Sequence, residues 1–251
     1  MVFRRLQRLV PRPLFVGDMH EVLTGECRQG RRAASPDTLR SMTESHYFDD
    51  DPSVASKVHR ISLELKGLSM ELDVDRGVFS AGKIDTGTQV LLDVATNPGK
   101  RTRQILDVGC GYGPIACVAA TRAPNAKVWA TDVNSRARDL CAANAERLGL
   151  NVSVAAPEDV PEDLRFDLIL SNPPIRIGKK NLHALLEMWL DRLTPDGRAE
   201  MVVQKHLGSD SLQRWLIEQG WPTERLMSRY GYRVLVVQPR TRPTDGRTEE
   251  E

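Results

Sequence analysis

Apolar residues in this chain recur with two different periods, and the change from one to the other marks out the elements. From Ile61 to Phe79 apolar and polar positions alternate: Leu63 and Leu65, then Leu68, Met70, Leu72 and Val74, with Gly67 between the runs. Alternation interrupted by a glycine predicts a β-hairpin. Ser80 to Lys83 reads as a loop. Asp85 to Val94 reads as a helix with Leu91, Leu92 and Val94 on its apolar face, ended by Asn97-Pro98-Gly99. Beyond it, short apolar runs alternate with helical spacing. The first run, Ile105 to Val108, is a strand; a helix follows over about 113–122, then strand 127–131 and helix 134–148, closed by Gly149. Strands 151–155 and 166–171, helix 181–192, strand 198–204 and helix 209–219 come next. Strands over about 224–230 and 232–238 close the series as an antiparallel hairpin around Tyr230-Gly231-Tyr232. Strands that alternate with helices imply a sheet covered on both sides. The expected fold is therefore α/β: a Rossmann-like, seven-stranded, mostly parallel sheet with helices on both faces and an N-terminal β-hairpin lead-in.

Composition narrows this picture. A chain of 251 residues with 40% apolar content can bury one sizeable α/β core. The net charge is +1, so attraction to nucleic acid must come from local patches. Cys27, Cys110, Cys117 and Cys141 form no C-x-x-C pair and no cluster with histidine, so neither a metal site nor a disulfide framework is expected. Cys110 reads as a small buried residue. No run is long enough to span a membrane and no signal sequence is visible, so a cytoplasmic protein is expected. Residues 1–42 differ from the rest: eight arginines stand against four acidic residues. They read as a disordered basic extension, with an RNA-binding arm as the functional alternative and Met42 as an alternative start. The domain proper covers 43–240, and the polar residues 241–251 read as a disordered tail. Lys100, Arg101 and Arg103 precede the first core strand and read as a solvated edge.

The chemistry begins with ILDVGCGYGPIA, Ile105 to Ala116. Gly109, Gly111 and Gly113 follow the strand at alternate positions, where glycine permits φ > 0 and leaves no side chain between backbone and ligand. Pro114 suits a first helical turn. A strand, a glycine loop and a helix N-terminus together present free N–H groups to a polar or anionic ligand. Gly111, Gly113 and Ala116 also fit the weak dinucleotide pattern G-x-G-x-x-A. Two aspartates point elsewhere. Asp107, at the strand end, can face an ammonium group. Asp132, after the strand-like Val128 to Ala130, can take both hydroxyls of a ribose, beside Val133. A ligand that joins a ribose to an amino-acid ammonium is S-adenosylmethionine. Glu158 or Asp159, in the next loop, is a candidate for the adenine amine.

A second stretch, Phe166 to Pro174, carries a buried strand into Asn172-Pro173-Pro174. Alone, Asn-Pro is an ordinary turn signal. Here it stands at the carboxyl end of a strand, where open α/β sheets bind ligands. Neither proline has an N–H. The stiff loop offers carbonyls and one amide side chain, a set suited to a planar amine donor.

The glycine loop, Asp132 and Asn172-Pro173-Pro174 together resemble the class I S-adenosylmethionine-dependent methyltransferases. In particular the chain is similar to the small-domain methyltransferases that modify guanine N2 in ribosomal RNA. His46-Tyr47-Phe48, Gly77-Val78-Phe79-Ser80 and Lys83-Ile84-Asp85-Thr86-Gly87-Thr88 look like that subfamily's lead-in. NPPIRIGKK, Asn172 to Lys180, is similar to its short single-domain members. The similarity covers about residues 43–240.

The resemblance implies methyl transfer to the N2 amine of a guanosine in 16S-type ribosomal RNA, free or in an assembling ribosomal subunit. Asn172, Pro173 and Pro174 are then the catalytic residues. Asn172 Oδ1 and the Pro173 carbonyl accept the amine's hydrogens. Asp107, Gly109, Gly111, Gly113, Asp132, Val133, Glu158 and Asn172 face the cofactor. Relatives often carry an aromatic residue after the two prolines, where this chain has Ile175. Ile175 or Arg176 then covers the base. Arg176, Lys179, Lys180, Lys205, His206 and Lys83 are candidate phosphate contacts. Two other readings stay open: the same chemistry on adenine or a glutamine amide, and a silent RNA-binding module.

Overall fold

The computed structural model describes residues 56–78, 80 and 82–240. The expected extension over 1–42 and the tail over 241–251 lie outside the described residues, as do His46-Tyr47-Phe48 and Phe79. The alternating segment forms β1 (His59–Leu65) and β2 (Leu68–Val74), paired antiparallel with Leu65 opposite Leu68. Gly67 turns the hairpin at φ +78°. Period-two spacing puts Leu63, Leu65, Met70, Leu72 and Val74 on one buried face. α1 (Thr86–Val94) follows, its N-terminus capped by the Asp85 side chain, which accepts the Thr88 N–H.

The α/β series then runs β3 (Gln104–Val108), α2 (Pro114–Arg122), β4 (Lys127–Thr131), α3 (Ser135–Arg147), β5 (Val152–Ala155), β6 (Phe166–Ser171), α4 (Lys179–Leu190), β7 (Leu193–Gln204), α5 (Ser209–Glu218), β8 (Thr223–Arg229) and β9 (Tyr232–Val237). One seven-stranded sheet has the order β5-β4-β3-β6-β7-β9-β8. β9 runs antiparallel to both β7 and β8, and the remaining pairs are parallel. The chain winds outward from β3 to β5, then returns to β6 and winds the other way. Such a reversal opens a crevice at the carboxyl ends of β3 and β6.

Successive side chains of each strand enter opposite layers. Ile105, Val128 and Leu168 pack with α1, α2, α3 and the hairpin. Leu106, Val108 and Ile169 pack against Leu186 and Trp189 of α4 and Leu212 and Leu216 of α5. The starts of α4 and β7 differ from the sequence expectation. α4 begins at Lys179, directly after Gly178, instead of at 181. β7 begins at Leu193 instead of 198, because Leu193 pairs with Phe166 ahead of an irregular step in the register. The turn signals Pro195, Asp196 and Gly197 are absorbed within that strand. Among the described residues, no helix is long and apolar enough to cross a membrane.

Candidate active site

A cavity of about 660 Å³ opens at the carboxyl ends of the central strands. Its size falls in the range of small-molecule sites. The glycine loop forms one end. Gly109, Gly111 and Gly113 have φ of +73°, +54° and +89°, as the strand-to-helix turn requires. The Gly109 and Cys110 N–H groups donate to the Thr131 carbonyl at 2.8 and 3.0 Å, which binds the loop to the end of β4. Asp132 strengthens that junction. Its Oδ2 accepts the Gly111 N–H at 2.9 Å and its Oδ1 the Asn134 N–H at 3.0 Å. Burial raises the Asp132 pKa, while those two N–H groups and Arg138 oppose the rise.

Asp107 lies under the loop, fully buried. Oδ2 accepts the Ala116 N–H at 3.0 Å, and Oδ1 is buried without a hydrogen-bond partner. Burial pushes this carboxyl up to about 8, opposed by the Ala116 N–H and assisted by the Asp132 charge. Gly113 is also one layer back: a Cβ there would lie 2.6 Å from Cys141 Sγ.

The other end is built on Asn172-Pro173-Pro174, which leaves β6. Asn172 Nδ2 donates to Asp85 Oδ2 at 2.8 Å and to Thr88 Oγ1 at 3.0 Å. A carboxylate can only accept, so the amide has one orientation, with Oδ1 turned away from Asp85 and free to accept. The Pro173 carbonyl accepts the Ile175 N–H at 2.8 Å and keeps one lone pair. Tyr232, from β9, closes this end. Its ring presses on Gly87, where a Cβ would meet Tyr232 Cε1 at 2.8 Å and Asp85 Oδ2 at 2.9 Å. Burial, and after it the Asp85 charge, raises the pKa of both the Tyr112 and Tyr232 hydroxyls. Both tyrosines line the cavity as neutral phenols.

The structure brings Gly109, Gly111, Asp132, Val133, Asn172, Pro173, Pro174, Ile175 and Arg176 together in the lining of one cavity. Asp107 and Gly113 stand behind it. Glu158 and Asp159 are exposed, and Pro157 from the same turn takes the lining position. Lys83, Lys179, Lys180, Lys205 and His206 are exposed and outside the lining. Asp85, Thr88, Tyr112, Asn134, Gln204 and Tyr232 line the cavity without having been named as site residues from the sequence, although Asp85 and Thr88 fall in the lead-in motif. Asp85 carried one local signal, a helix-capping aspartate three residues before Thr88. Its contact with Asn172, 87 residues away, carried none. Among the described residues, no group of three or more His, Cys, Asp or Glu is placed to hold a metal ion.

Comparison with known proteins places this geometry. A model of the methyltransferase small domain matches residues 69–235. The chain is 35% identical to the uncharacterised protein YbxB of Bacillus subtilis (strain 168) over 76% of its own length and 96% of that protein. It is 41% identical to the ribosomal RNA small subunit methyltransferase C of Haemophilus influenzae (strain PittGG) over 104 residues, 41% of this chain and 31% of that one. The chain thus spans about a third of the curated ribosomal RNA methyltransferases it matches. Among solved structures, a T. thermophilus 16S rRNA guanine-N2 methyltransferase (RsmC), in complex with S-adenosylmethionine and guanosine, superposes with a TM-score of 0.66. That likeness has 26% identity and covers 75% of this chain and 52% of the other.

Proposed function

The chain belongs to the methyltransferase small domain family, and from that premise we propose that it methylates the exocyclic N2 amine of a guanosine in small-subunit ribosomal RNA. The cofactor is S-adenosylmethionine. The residues present fit it: Gly109 and Gly111 leave the cavity face of the loop bare, Asp132 lines the wall, and Asp107 Oδ1 is a buried acceptor without a partner. Asp132 would take the ribose hydroxyls, the Gly109–Gly111 backbone would pass along the amino-acid part, and Asp107, on giving up its proton, would favour a cation above the loop. When bound, S-adenosylmethionine supplies an electrophilic methyl group.

The observation that carries the substrate reading is the fixed amide of Asn172. The lone pair of a guanine amine is shared with the ring, which makes it a poor nucleophile. Asn172 Oδ1 and the remaining lone pair of the Pro173 carbonyl are placed to accept its two hydrogens and turn the nitrogen lone pair toward the cofactor. The stiff Asn-Pro-Pro backbone and the anchors at Asp85 and Thr88 keep these acceptors in position. Orientation of this kind can contribute roughly 7–11 kcal/mol to a displacement, and no dedicated base is needed before it. Ile175 packs as an apolar cover for the base. Exposed Arg176 at the cavity wall, with Lys179 and Lys180 on the adjoining first turn of α4, favours an RNA strand as the substrate. The cytoplasm, where ribosomal subunits assemble, is the corresponding setting.

The test is mass spectrometry of ribosomal RNA nucleosides from cells with and without the protein, complemented by wild type or Asn172→Ala. Wild type restores a methylguanosine and Asn172→Ala does not, while the variant keeps its affinity for S-adenosylhomocysteine. An identical nucleoside profile with and without the protein overturns the reading.

A further inference from the structure

We infer that Asp85 selects guanine, by accepting the ring N1–H through its Oδ1 while Asn172 and Pro173 hold the neighbouring amine. The inference rests on the function proposed above and adds to it the residue that sets base identity. Asp85 and Asn172 line the same end of the cavity, joined by the 2.8 Å hydrogen bond from Asn172 Nδ2 to Asp85 Oδ2. The same Oδ2 accepts the Thr88 N–H at 2.9 Å. Oδ1 has no hydrogen-bond partner among the described residues. The side chain caps α1, and Gly87 keeps the ring of Tyr232 packed against it. One oxygen is thus committed to the protein, and the other is left without a protein partner on a residue that lines the same cavity as Asn172 and Pro173.

Base chemistry gives that second oxygen a use. In guanine the two ring nitrogens that flank the N2 amine are N1, which carries a hydrogen, and N3, which does not. In adenine and cytosine the atom next to the amine is an unprotonated ring nitrogen, itself an acceptor. A carboxylate oxygen beside the amine subsite therefore gains a charge-assisted hydrogen bond from guanine. The other two bases would set a lone pair against it and leave the charge unpaired. Asn172 and Pro173 alone accept any planar amine, so discrimination has to come from a neighbour, and Asp85, bonded to Asn172 and with one uncommitted oxygen, is the neighbour with the matching chemistry.

The variant Asp85→Asn tests this sharply. Asn172 Nδ2 and the Thr88 N–H both need an acceptor at the Oδ2 position, so the new amide must turn its oxygen there and its NH2 toward the base. The subsite changes from acceptor to donor. The probe pair is guanosine and 2-aminopurine riboside, which keeps the N2 amine but has an unprotonated N1. Each is titrated calorimetrically into protein saturated with S-adenosylhomocysteine. Wild type should prefer guanosine by about tenfold or more, the worth of one charge-assisted hydrogen bond. Asp85→Asn should reverse the preference while keeping its S-adenosylhomocysteine affinity within about twofold. Thr88→Val, which removes an anchor of Asn172 but leaves Asp85 Oδ1, should weaken both ligands and preserve the ratio. A ratio that Asp85→Asn leaves unchanged overturns the inference, with the methyltransferase reading standing. A ribosomal RNA profile that does not depend on the protein overturns that reading instead.

Discussion

Asn144 Nδ2 lies 2.9 Å from the carbonyl oxygen of Tyr112, so the last turn of α3 holds the glycine loop from behind. The same side chain bonds both backbone groups of Asp73 on β2, accepting its N–H and donating to its carbonyl, each at 2.8 Å. One fully buried amide thereby ties the lead-in hairpin, α3 and the cofactor loop together. Replacement by alanine leaves the buried Tyr112 carbonyl unpaired, at about 1–3 kcal/mol, and two half-buried backbone groups of Asp73 without their partner. Asn144→Ala should lower stability by about 2 kcal/mol, or the melting temperature by roughly 4–8 °C. Differential scanning calorimetry is the check, and an unchanged transition would mean that the loop does not depend on this tie.

Gly113 is constrained twice over. Its φ of +89° disfavours any Cβ, and a Cβ would lie 2.6 Å from Cys141 Sγ and 3.2 Å from Cys141 Cα. Gly113→Ala should destabilise the fold by about 1–2 kcal/mol from φ alone, with the steric clash added. Adding Cys141→Ala should recover only part of the loss, because the crowding against the residue 141 backbone and the φ penalty remain. Complete recovery in the double variant would assign the whole cost to the sulfur.

Asp107 makes stability depend on pH. Its folded pKa, pushed up to about 8, lies above the ordinary 3.8, so the fold favours the protonated acid. This contribution is full below about pH 4 and is lost as pH rises through about 8. The protein without cofactor should therefore lose stability between about pH 4 and pH 8 and level off above it, and Asp107→Asn should flatten that slope. A cation over the glycine loop favours the ionised form. Binding of S-adenosylmethionine should thus release protons, measurable as an enthalpy that varies with the ionisation heat of the buffer. Equal proton release in wild type and Asp107→Asn would remove Asp107 from the linkage.

Asp132 bridges Gly111 and Asn134 while facing the cavity. Asp132→Ala should weaken S-adenosylmethionine binding by more than about tenfold, since two hydrogen bonds to a charged acceptor are lost. Comparing melting temperatures without ligand separates a loosened loop from the lost ligand contact. Wild-type affinity in a folded variant would exclude Asp132 from the ribose site.

The order of elements was legible in the sequence because burial imposes its period locally. Leu63 to Val74 alternate wherever the hairpin packs, and Ile105 to Val108 must be a strand because both layers bury it. The glycine loop was legible for the same reason, since φ > 0 is a demand of the backbone at that point. Asn172 could be recognised from its prolines and its place after a buried strand. Its anchors could not. Asp85 and Tyr232 reach Asn172's end of the cavity only because β6 stands between β3 and β7, and β9 pairs with β7 with Tyr232 opposite Gln204. Conversely, Glu158, Lys83 and Lys179 stand close in sequence to the right loops yet outside the wall, because chain proximity does not set the direction of a side chain. Local patterns determined which strands, turns and glycines this protein has. Which oxygen meets which amide depended on strand order, a long-range choice made by how two layers of helices cover one sheet.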